Sequence, residues 1–338
     1  MGTIQDYIKL VADGQTLSRA QASEAFELLM SGQAEAVHIA GFLMALRMRG
    51  ETVEEITGAA EVMRRKATGV SAPPGAVDTC GTGGDASGTY NISTCSAFVV
   101  AGAGVPVAKH GNKSVSSKSG SADVLSALGV NLDVSPAVVR QSIDEAGIGF
   151  MFAPAHHSAM KHVGAVRVAL GVRTIFNILG PLANPAGTKR QVIGVFSKDW
   201  LVPLAEVLRN LGSEKLWIVH GEDGLDELTT TGQSHVCALE NGEIREFSIH
   251  PSDVGLDVAP MEALKGGDAL ENAEAIKRVL NGDMGHFRDI VLLNAGAALH
   301  VAGVADDLRT GVALAARSID EGHANTALLR LVAVTNDG

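Results

Sequence analysis

Cysteine is scarce: the chain has three in 338 residues, Cys80, Cys95 and Cys237. An odd, widely spaced set with no CxxC and no Cys/His pair at zinc spacing argues against a disulfide framework and a structural zinc site. With no signal-peptide pattern at the N-terminus, it predicts reduced thiols in the cytoplasm. Aromatics are also few, at 4%. No apolar run reaches the roughly 18–20 residues that span a bilayer, so no membrane partner is expected. Basic residues are outnumbered, 27 Lys and Arg against 38 Asp and Glu, for a net charge of −11. That balance argues against non-specific nucleic-acid binding but leaves room for a small anionic ligand, since local field outweighs total charge. Ser-His-Asp and HExxH arrangements are absent.

What is present is a soluble-enzyme composition, 46% hydrophobic and 19% charged, with 39 glycines. The length predicts about two domains. Residues 1–69 read as helices only. Ile4, Tyr7, Ile8 and Val11 share a helical face, and Ser18 with Gln21 and Thr52 with Glu55 are capping boxes. Arg64, Arg65 and Lys66 end the fourth helix, where cations suit the dipole. After a Pro-Pro-Gly linker at 71–75 the pattern alternates strand and helix. Strands are expected at 76–79, 105–108, 148–153, 191–197 and 215–220, with helices between them, including one over 155–170. Asn241-Gly242 between two alternating runs signals a hairpin. Helices resume from 268. The expectation is an α/β fold, with a small N-terminal helical bundle domain (1–70, completed by roughly 165–188) beside a larger α/β domain (71–338) with a mostly parallel central sheet. The segment 167–188 is apolar yet carries Arg167 and two prolines, which suggests a crossing between domains and places Arg167 near the cleft.

Residues 76–123 carry the chemistry. Gly81-Thr82-Gly83-Gly84-Asp85 follows a strand but is neither Walker A, lacking GK[ST], nor GxGxxG, since position 86 is alanine. Asn91, Ser93 and Thr94 follow at a helix start, where side-chain donors and free N–H groups make a seat for a monophosphate; plain N-capping is the alternative for Ser93 and Thr94. The run from Lys109 to Asp123 adds three lysines and five serines between a strand and a helix, as in a loop that closes on an anionic ligand. Together the two stretches read as a two-sided cradle for a phosphorylated ligand. Asp226-Glu227 in a Gly-rich turn suits a hard cation such as Mg²⁺, against the plainer reading of a solvated acidic turn. Cys80 reads as a packing residue rather than a nucleophile, and His156 and His157 as helix-surface residues rather than acid–base groups.

GTGGD, NxST and KHGNKSVSSKSGSAD together resemble anthranilate phosphoribosyltransferases. The likeness extends to Phe152-Ala153-Pro154, to His157-x-Ala159-Met160-Lys161, to Arg173-Thr174-Ile175-Phe176-Asn177 with the following Gly180-Pro181-Leu182-x-Asn184-Pro185, and to Gly224-Leu225-Asp226-Glu227. It spans the whole chain. The resemblance implies the nucleoside phosphorylase/phosphoribosyltransferase-like fold, a homodimer joined through the helical domain, and a cleft between domains. It implies transfer of the phosphoribosyl group of 5-phosphoribosyl 1-diphosphate (PRPP) to anthranilate, with two Mg²⁺ per monomer. By position, Gly81, Gly84 and Asp85 would meet the diphosphate, and Thr89, Asn91, Ile92, Ser93 and Thr94 the ribose and 5-phosphate. Lys109, Gly111, Asn112, Lys113, Ser116, Ser117 and Ser121 would close over PRPP. Gly81, His110, Asn112, Pro154, His157 and Arg167 would take anthranilate, Arg167 by pairing with its carboxylate. Ser93, Asp226 and Glu227 would hold metal. Lys113 stands where arginine is common, which loses the guanidinium fork, and Ser158 where proline is common. No single residue is expected to do covalent catalysis. Two rivals share the fold: a pyrimidine-nucleoside phosphorylase, whose longer chain carries a KHSTGG-type stretch absent here, and a non-catalytic nucleic-acid-binding relative, which should be basic and lack the Asn112/Arg167 pair.

Overall fold

Capping boxes set the N-terminal helices. The structure is a computed structural model that describes residues 2–85, 87–113 and 118–337. Helices α1 (Ile4–Ala12), α2 (Arg19–Met30), α3 (Ala36–Arg49) and α4 (Val53–Lys66) form the bundle. Boxes at Thr3/Asp6, Ser18/Gln21 and Thr52/Glu55 satisfy the free N–H groups of three of them. The Phe26 ring meets Phe42 at 5.8 Å and Phe176 at 5.7 Å, edge on, so a segment distant in sequence completes the bundle core. The basic end of α4 is structural. Arg64 Nε donates to the Leu182 carbonyl at 2.7 Å, and Arg65 and Lys66 pair with Glu27.

From residue 77 the chain alternates: β1 (Val77–Gly81), α5 (Ile92–Gly102), β2 (Val107–Gly111), α6 (Ser121–Ala127), α7 (Pro136–Ala146) and β3 (Ile148–Phe152). Then follow α8 (Ala153–His156), α9 (Lys161–Leu170), α10 (Phe176–Leu182), β4 (Arg190–Gly194), α11 (Leu201–Asn210) and β5 (Lys215–Gly221). A hairpin, β6 (Ser234–Glu240) and β7 (Glu243–Ile249), precedes α12 (Ala269–Leu280), α13 (His286–Ala302), α14 (Leu308–Asp320) and α15 (His323–Asn336). The strands order as β3-β2-β1-β4-β5-β6-β7. The first five are parallel and the hairpin adds an antiparallel edge. Asn241 (φ 53°) and Gly242 (φ 80°) make its turn, as the Asn-Gly pair predicts. One face of the sheet buries Val107, Ile148 and Trp217 under α5 and α12–α15. The other buries Ile193, Ile218 and Leu239 in a core that runs without a break into Phe26, Phe42 and Leu46 of the bundle.

Two local expectations need correction. β1 and β2 run past their expected ends, so Cys80, Gly81, Lys109, His110 and Gly111 lie in strands rather than loops. Register with the neighbouring strand continues through Lys109↔Phe150 and Gly111↔Phe152, which keeps a buried lysine in the ladder. The expected helix over 155–170 is broken at His157 (φ −114°, ψ 57°), where a short 3₁₀ turn intervenes before α9. Residues 167–188 hold a helix, α10, with Pro181 in its last turn.

Candidate functional site

The five parallel strands end at one edge of the sheet, and the loops after β1, β2, β4 and β5 converge there. Beneath them lie two buried ionisable groups, Asp78 and Lys109. Asp78, fully buried in β1, accepts the His110 N–H at 3.2 Å on one oxygen and the Asn184 amide at 2.7 Å on the other. Asn184 also donates to the Ala108 carbonyl at 2.9 Å. Burial pushes the Asp78 carboxyl up, and nearby Lys109 opposes the shift. Lys109 itself is 1% exposed, and its ammonium donates to the Thr79 carbonyl and to Ser93 Oγ at 3.3 Å. Burial pushes its pKa down, while Asp78, Cys80 and Glu227 act in the other direction. Burial, with Asp78 beside it, pushes the Cys80 thiol well up, so this cysteine packs and does not attack.

The Gly-rich loop after β1 is fitted onto Asp226. Gly83 N–H donates to Asp226 Oδ2 at 2.7 Å. A Cβ on Gly81 would stand 2.4 Å from the same oxygen, and one on Gly194 only 1.5 Å from the Asp226 carbonyl oxygen, so neither position accepts a side chain without moving the acidic turn. Burial, then the Asp85 carboxylate, pushes the Asp226 pKa up to about 7. Burial and Asp226 raise Glu227 well above the usual range. Glu227 Oε1 accepts the Ser93 N–H at 3.1 Å, in the first turn of α5. The plain solvated-turn reading of Asp226-Glu227 therefore fails. Among the described residues no three His, Cys, Asp or Glu side chains form a ready cage for a metal. The half-buried carboxylates of Asp226 and Glu227, with the Ser93 hydroxyl nearby, nevertheless fit a hard dication that takes its remaining ligands from phosphate and water.

The second stretch joins the first through side chains. Asn91, the N-cap of α5, makes no capping bond; its Nδ2 donates to the Ser119 carbonyl at 3.2 Å. Thr94 Oγ1 donates to Ser121 Oγ at 3.1 Å. Neither Ser93 nor Thr94 is an N-cap, which leaves both hydroxyls on the inner turn. Thr89 Oγ1 lies 3.3 Å from Ser87 Oγ, which donates to Asp85 at 2.6 Å. The Asn112 carbonyl takes the Ala122 N–H at 3.2 Å, and the side chains of Asn112 and Lys113 are exposed. Ser116 and Ser117 lie outside the described residues.

The expected aromatic side has a different character. The rings of His110 and His157 stand 5.1 Å apart, both buried, with His110 Nε2 and both nitrogens of His157 unpartnered. Burial, then His157 and His156, lowers His110 to about 3, and burial, then His156, lowers His157 to about 4. Both are neutral at pH 7. His156, also buried, lies 2.7 Å by Nδ1 from the Thr68 carbonyl; neither histidine is a surface residue. Arg167 lies 5.3 Å from the Phe176 ring and, among the described residues, pairs with no carboxylate. Pro154 and Ser158 are exposed. Among the described residues no hydrogen bond links Arg167 or Pro154 to the phosphate side.

Sequence reasoning missed Asp78, Arg173 and Asn272 as parts of the site. A carboxylate inside the apolar strand Val77–Gly81 was the available signal for the first, because such a charge demands partners. Arg173 Nη2 donates to the Gly84 carbonyl with its guanidinium 4.1 Å from the Phe196 ring; its charge in an apolar segment and its place in the quoted motif were the available signals.

A helical bundle completed from mid-chain, a parallel sheet and glycine- and hydroxyl-rich loops at its C-terminal edge define a two-module glycosyl transferase. Residues 5–67 match the model of the glycosyl transferase family, helical bundle domain, and 73–325 that of the glycosyl transferase family, a/b domain. The chain is 60% identical over 336 residues to the anthranilate phosphoribosyltransferase of Chelativorans sp. (strain BNC1), covering 99% of each. The crystal structure of the Thermus thermophilus anthranilate phosphoribosyltransferase aligns with TM-score 0.93 and 45% identity over 98% of this chain and 99% of that one. The Saccharomyces cerevisiae enzyme in complex with PRPP and Mg aligns at 0.91 and 28% identity over 99% of this chain and 98% of that one. Its complex with 4-fluoroanthranilate aligns at 0.88 and 27%, with the same coverage. The chain belongs to the anthranilate phosphoribosyltransferase family. Neither the phosphorylase nor the nucleic-acid-binding alternative finds support among these relatives.

The raised Asp226 pKa has a consequence for stability. Between the ordinary carboxylate value of 3.8 and about 7, the folded protein holds a proton that the unfolded chain releases, so this group's contribution to stability falls as pH rises through that window. Asp226→Asn should therefore raise the melting temperature of the metal-free protein, by a margin that grows from pH 5 to pH 7 and then levels. Added MgCl₂ at pH 8 should stabilise wild type more than the variant. A thermal-melt series in which the margin shrinks with pH would contradict the assignment.

Proposed function

We propose that the protein transfers the phosphoribosyl group of PRPP to the amine of anthranilate, releasing diphosphate. The observation that carries this reading is the meeting of two hydroxyl- and glycine-rich loops, linked by Thr94–Ser121 and Asn91–Ser119, beside two carboxylates that burial and neighbouring acidic groups hold above their usual pKa. In this reading Gly81, Gly84 and Asp85 meet the diphosphate. Thr89, Asn91, Ile92, Ser93 and Thr94 hold the ribose and 5-phosphate. Lys109, Gly111, Asn112, Lys113 and Ser121 enclose the sugar, with Ser116 and Ser117 assigned to the same role on sequence. Asp226, Glu227 and Ser93 hold Mg²⁺, two ions per monomer. When bound, the metal withdraws charge from the departing diphosphate.

Anthranilate would lie on the side of Gly81, Asn112, His110, Pro154 and His157, with its carboxylate on Arg167. The unpaired guanidinium and the three orphaned ring nitrogens support this side, since buried polar groups need partners. As the ribose C1–O bond breaks, its electron pair leaves with diphosphate and the amine attacks C1 from the opposite face. The amine, already neutral at pH 7, releases one proton to water after attack. Neutral His110 and His157 keep the channel uncharged for an aromatic amine. The chain's contribution is positioning and a preorganised field rather than covalent catalysis.

A homodimer through the helical domain is part of the same proposal. Val37 (68% exposed) and Met48 (79%) on α3 and Val168 (80%) on α9 give the bundle an apolar outer surface. Three buried, unpaired cysteines suit a reducing cytoplasm. No helix among the described residues is long and apolar enough to cross a membrane.

Anthranilate fluorescence should fall only when PRPP and Mg²⁺ are both present; loss with thymidine and phosphate instead would favour a phosphorylase. Arg167→Ala should raise the KM for anthranilate about tenfold or more, as expected for a lost charge-assisted bond, and leave the KM for PRPP nearly unchanged. Equal effects on both substrates would remove Arg167 from the site. Sedimentation should report a dimer that Met48→Glu weakens; an unaltered dimer would place the interface elsewhere.

A further inference from the structure

Asn272 lies far along the chain from every glycine- and serine-rich loop, yet its side chain touches the phosphate side of the site. The segment that precedes it returns along the loop before α5. Tyr90 N–H donates to the Leu264 carbonyl at 3.1 Å, Gly266 N–H donates to the Gly88 carbonyl at 2.9 Å, and Thr89 pairs with Lys265 in an antiparallel bridge. Asp268 then caps α12, accepting the N–H groups of Leu270 and Glu271 at 2.9 and 3.0 Å. One turn into that helix stands Asn272, 1% exposed.

Both ends of its amide are committed. Asn272 Oδ1 accepts the Gly267 N–H at 2.8 Å, so its Nδ2 must be the end that faces Asn91, where it donates to Oδ1 at 2.9 Å. That contact decides the polarity of Asn91. With its oxygen taken by Asn272 and by the Ser119 hydroxyl at 3.4 Å, Asn91 turns its NH₂ the other way, one hydrogen meeting the Ser119 carbonyl at 3.2 Å and, among the described residues, no bond recorded for the second. No capping bond fixes the Asn91 side chain otherwise. An amide's two ends are nearly equal in shape and opposite in hydrogen-bonding sense, and ribose and phosphate oxygens are best met by the donor end.

We propose that Asn272 is a positioning residue for the phosphorylated sugar: it holds the Asn91 amide with its donor end toward the ligand and, through Asn91, ties the segment at Ser119 to the start of α5. The proposal rests on the reading that Asn91 contacts PRPP. Asn272 touches no reacting atom and acts only through Asn91.

Asn272→Asp is the test, because it keeps the shape and the bond from Gly267 while removing the donor to Asn91. A carboxylate oxygen there turns the Asn91 amide round and puts its oxygen toward the ligand and the Ser119 carbonyl. The expected result is a KM for PRPP about tenfold higher, from a hydrogen bond inverted rather than merely lost, with the KM for anthranilate at saturating PRPP and kcat little changed. Asn272→Ala, which frees Asn91 without inverting it, should raise the KM for PRPP less than Asn272→Asp does. A simple packing role predicts the reverse order, since alanine removes more contact than aspartate. In the Asn91→Ala background, Asn272→Asp should no longer alter the KM for PRPP.

Hydrogen exchange of the ligand-free protein gives a readout independent of activity: residues 118–122 should exchange faster in both variants than in wild type. A wild-type protein that ignores PRPP would defeat the proposed activity, whereas the exchange comparison would still decide the Asn272–Asn91–Ser119 link. An unchanged KM for PRPP in Asn272→Asp, a larger effect from alanine, or unaltered exchange at 118–122 in either folded variant would overturn the proposal.

Discussion

A carboxylate sealed inside the sheet organises the site above it. Asp78 has no access to water, and a buried charge is tolerated only where hydrogen bonds and an opposite charge satisfy it. Its hydrogen bonds come from two places, the His110 N–H on β2 and the Asn184 amide from the turn after α10, and the Lys109 ammonium lies close enough to favour its charge. The ends of β1 and β2 are therefore held together just below the points where their loops depart. Asn184 ties the same carboxylate to the segment that completes the helical bundle. Breaking any of these contacts leaves a buried group unpaired, which costs far more than the contact's own net contribution.

Above that base, charge is unevenly distributed. Asp85, Asp226 and Glu227 crowd one side, each raising the cost of ionising a neighbour, while Lys109 lies underneath and is largely committed to Thr79 and Ser93. Such an arrangement binds a dication well and a lone anion poorly. Around His110 and His157 the imidazoles are neutral, and Arg167 lies against an aromatic ring. The two parts of the candidate site thus differ sharply in charge.

Much of this was legible in the chain, and for identifiable reasons. Capping boxes at Ser18/Gln21 and Thr52/Glu55, the Asn-Gly hairpin turn and the strand–helix rhythm are local signals, and each appears in the structure where local physics puts it. Among the candidate residues Ser93 meets Glu227 and Thr94 meets Ser121 directly, while Asn91 reaches Ser119 and Asp226 holds Gly83 of the first loop. Less legible was anything settled by long-range packing. Strands β1 and β2 extend because their ladders continue, Gly81 beside Gly194 and Gly111 beside Phe152, partners that only the sheet supplies. The break at His157 and the helix around Pro181 answer to neighbours rather than to propensity. Asn272 lies in a stretch with no distinctive composition, and the roles of Asn272 and Arg173 arise only once the fold brings Asn91 and Gly84 beside them.

The bond from the Ser93 N–H to Glu227 has an implication for selectivity. In the empty protein the positive end of α5 already has a tenant, a carboxylate of its own chain. Orthophosphate, plentiful in any cell, arrives without compensating charge and gains little by competing for that berth. A ligand that brings divalent cations would offer Glu227 a stronger partner than a single N–H and free the helix end for its own oxygens. The Glu227 contact would thus favour an anion that carries its own counterions over one that does not.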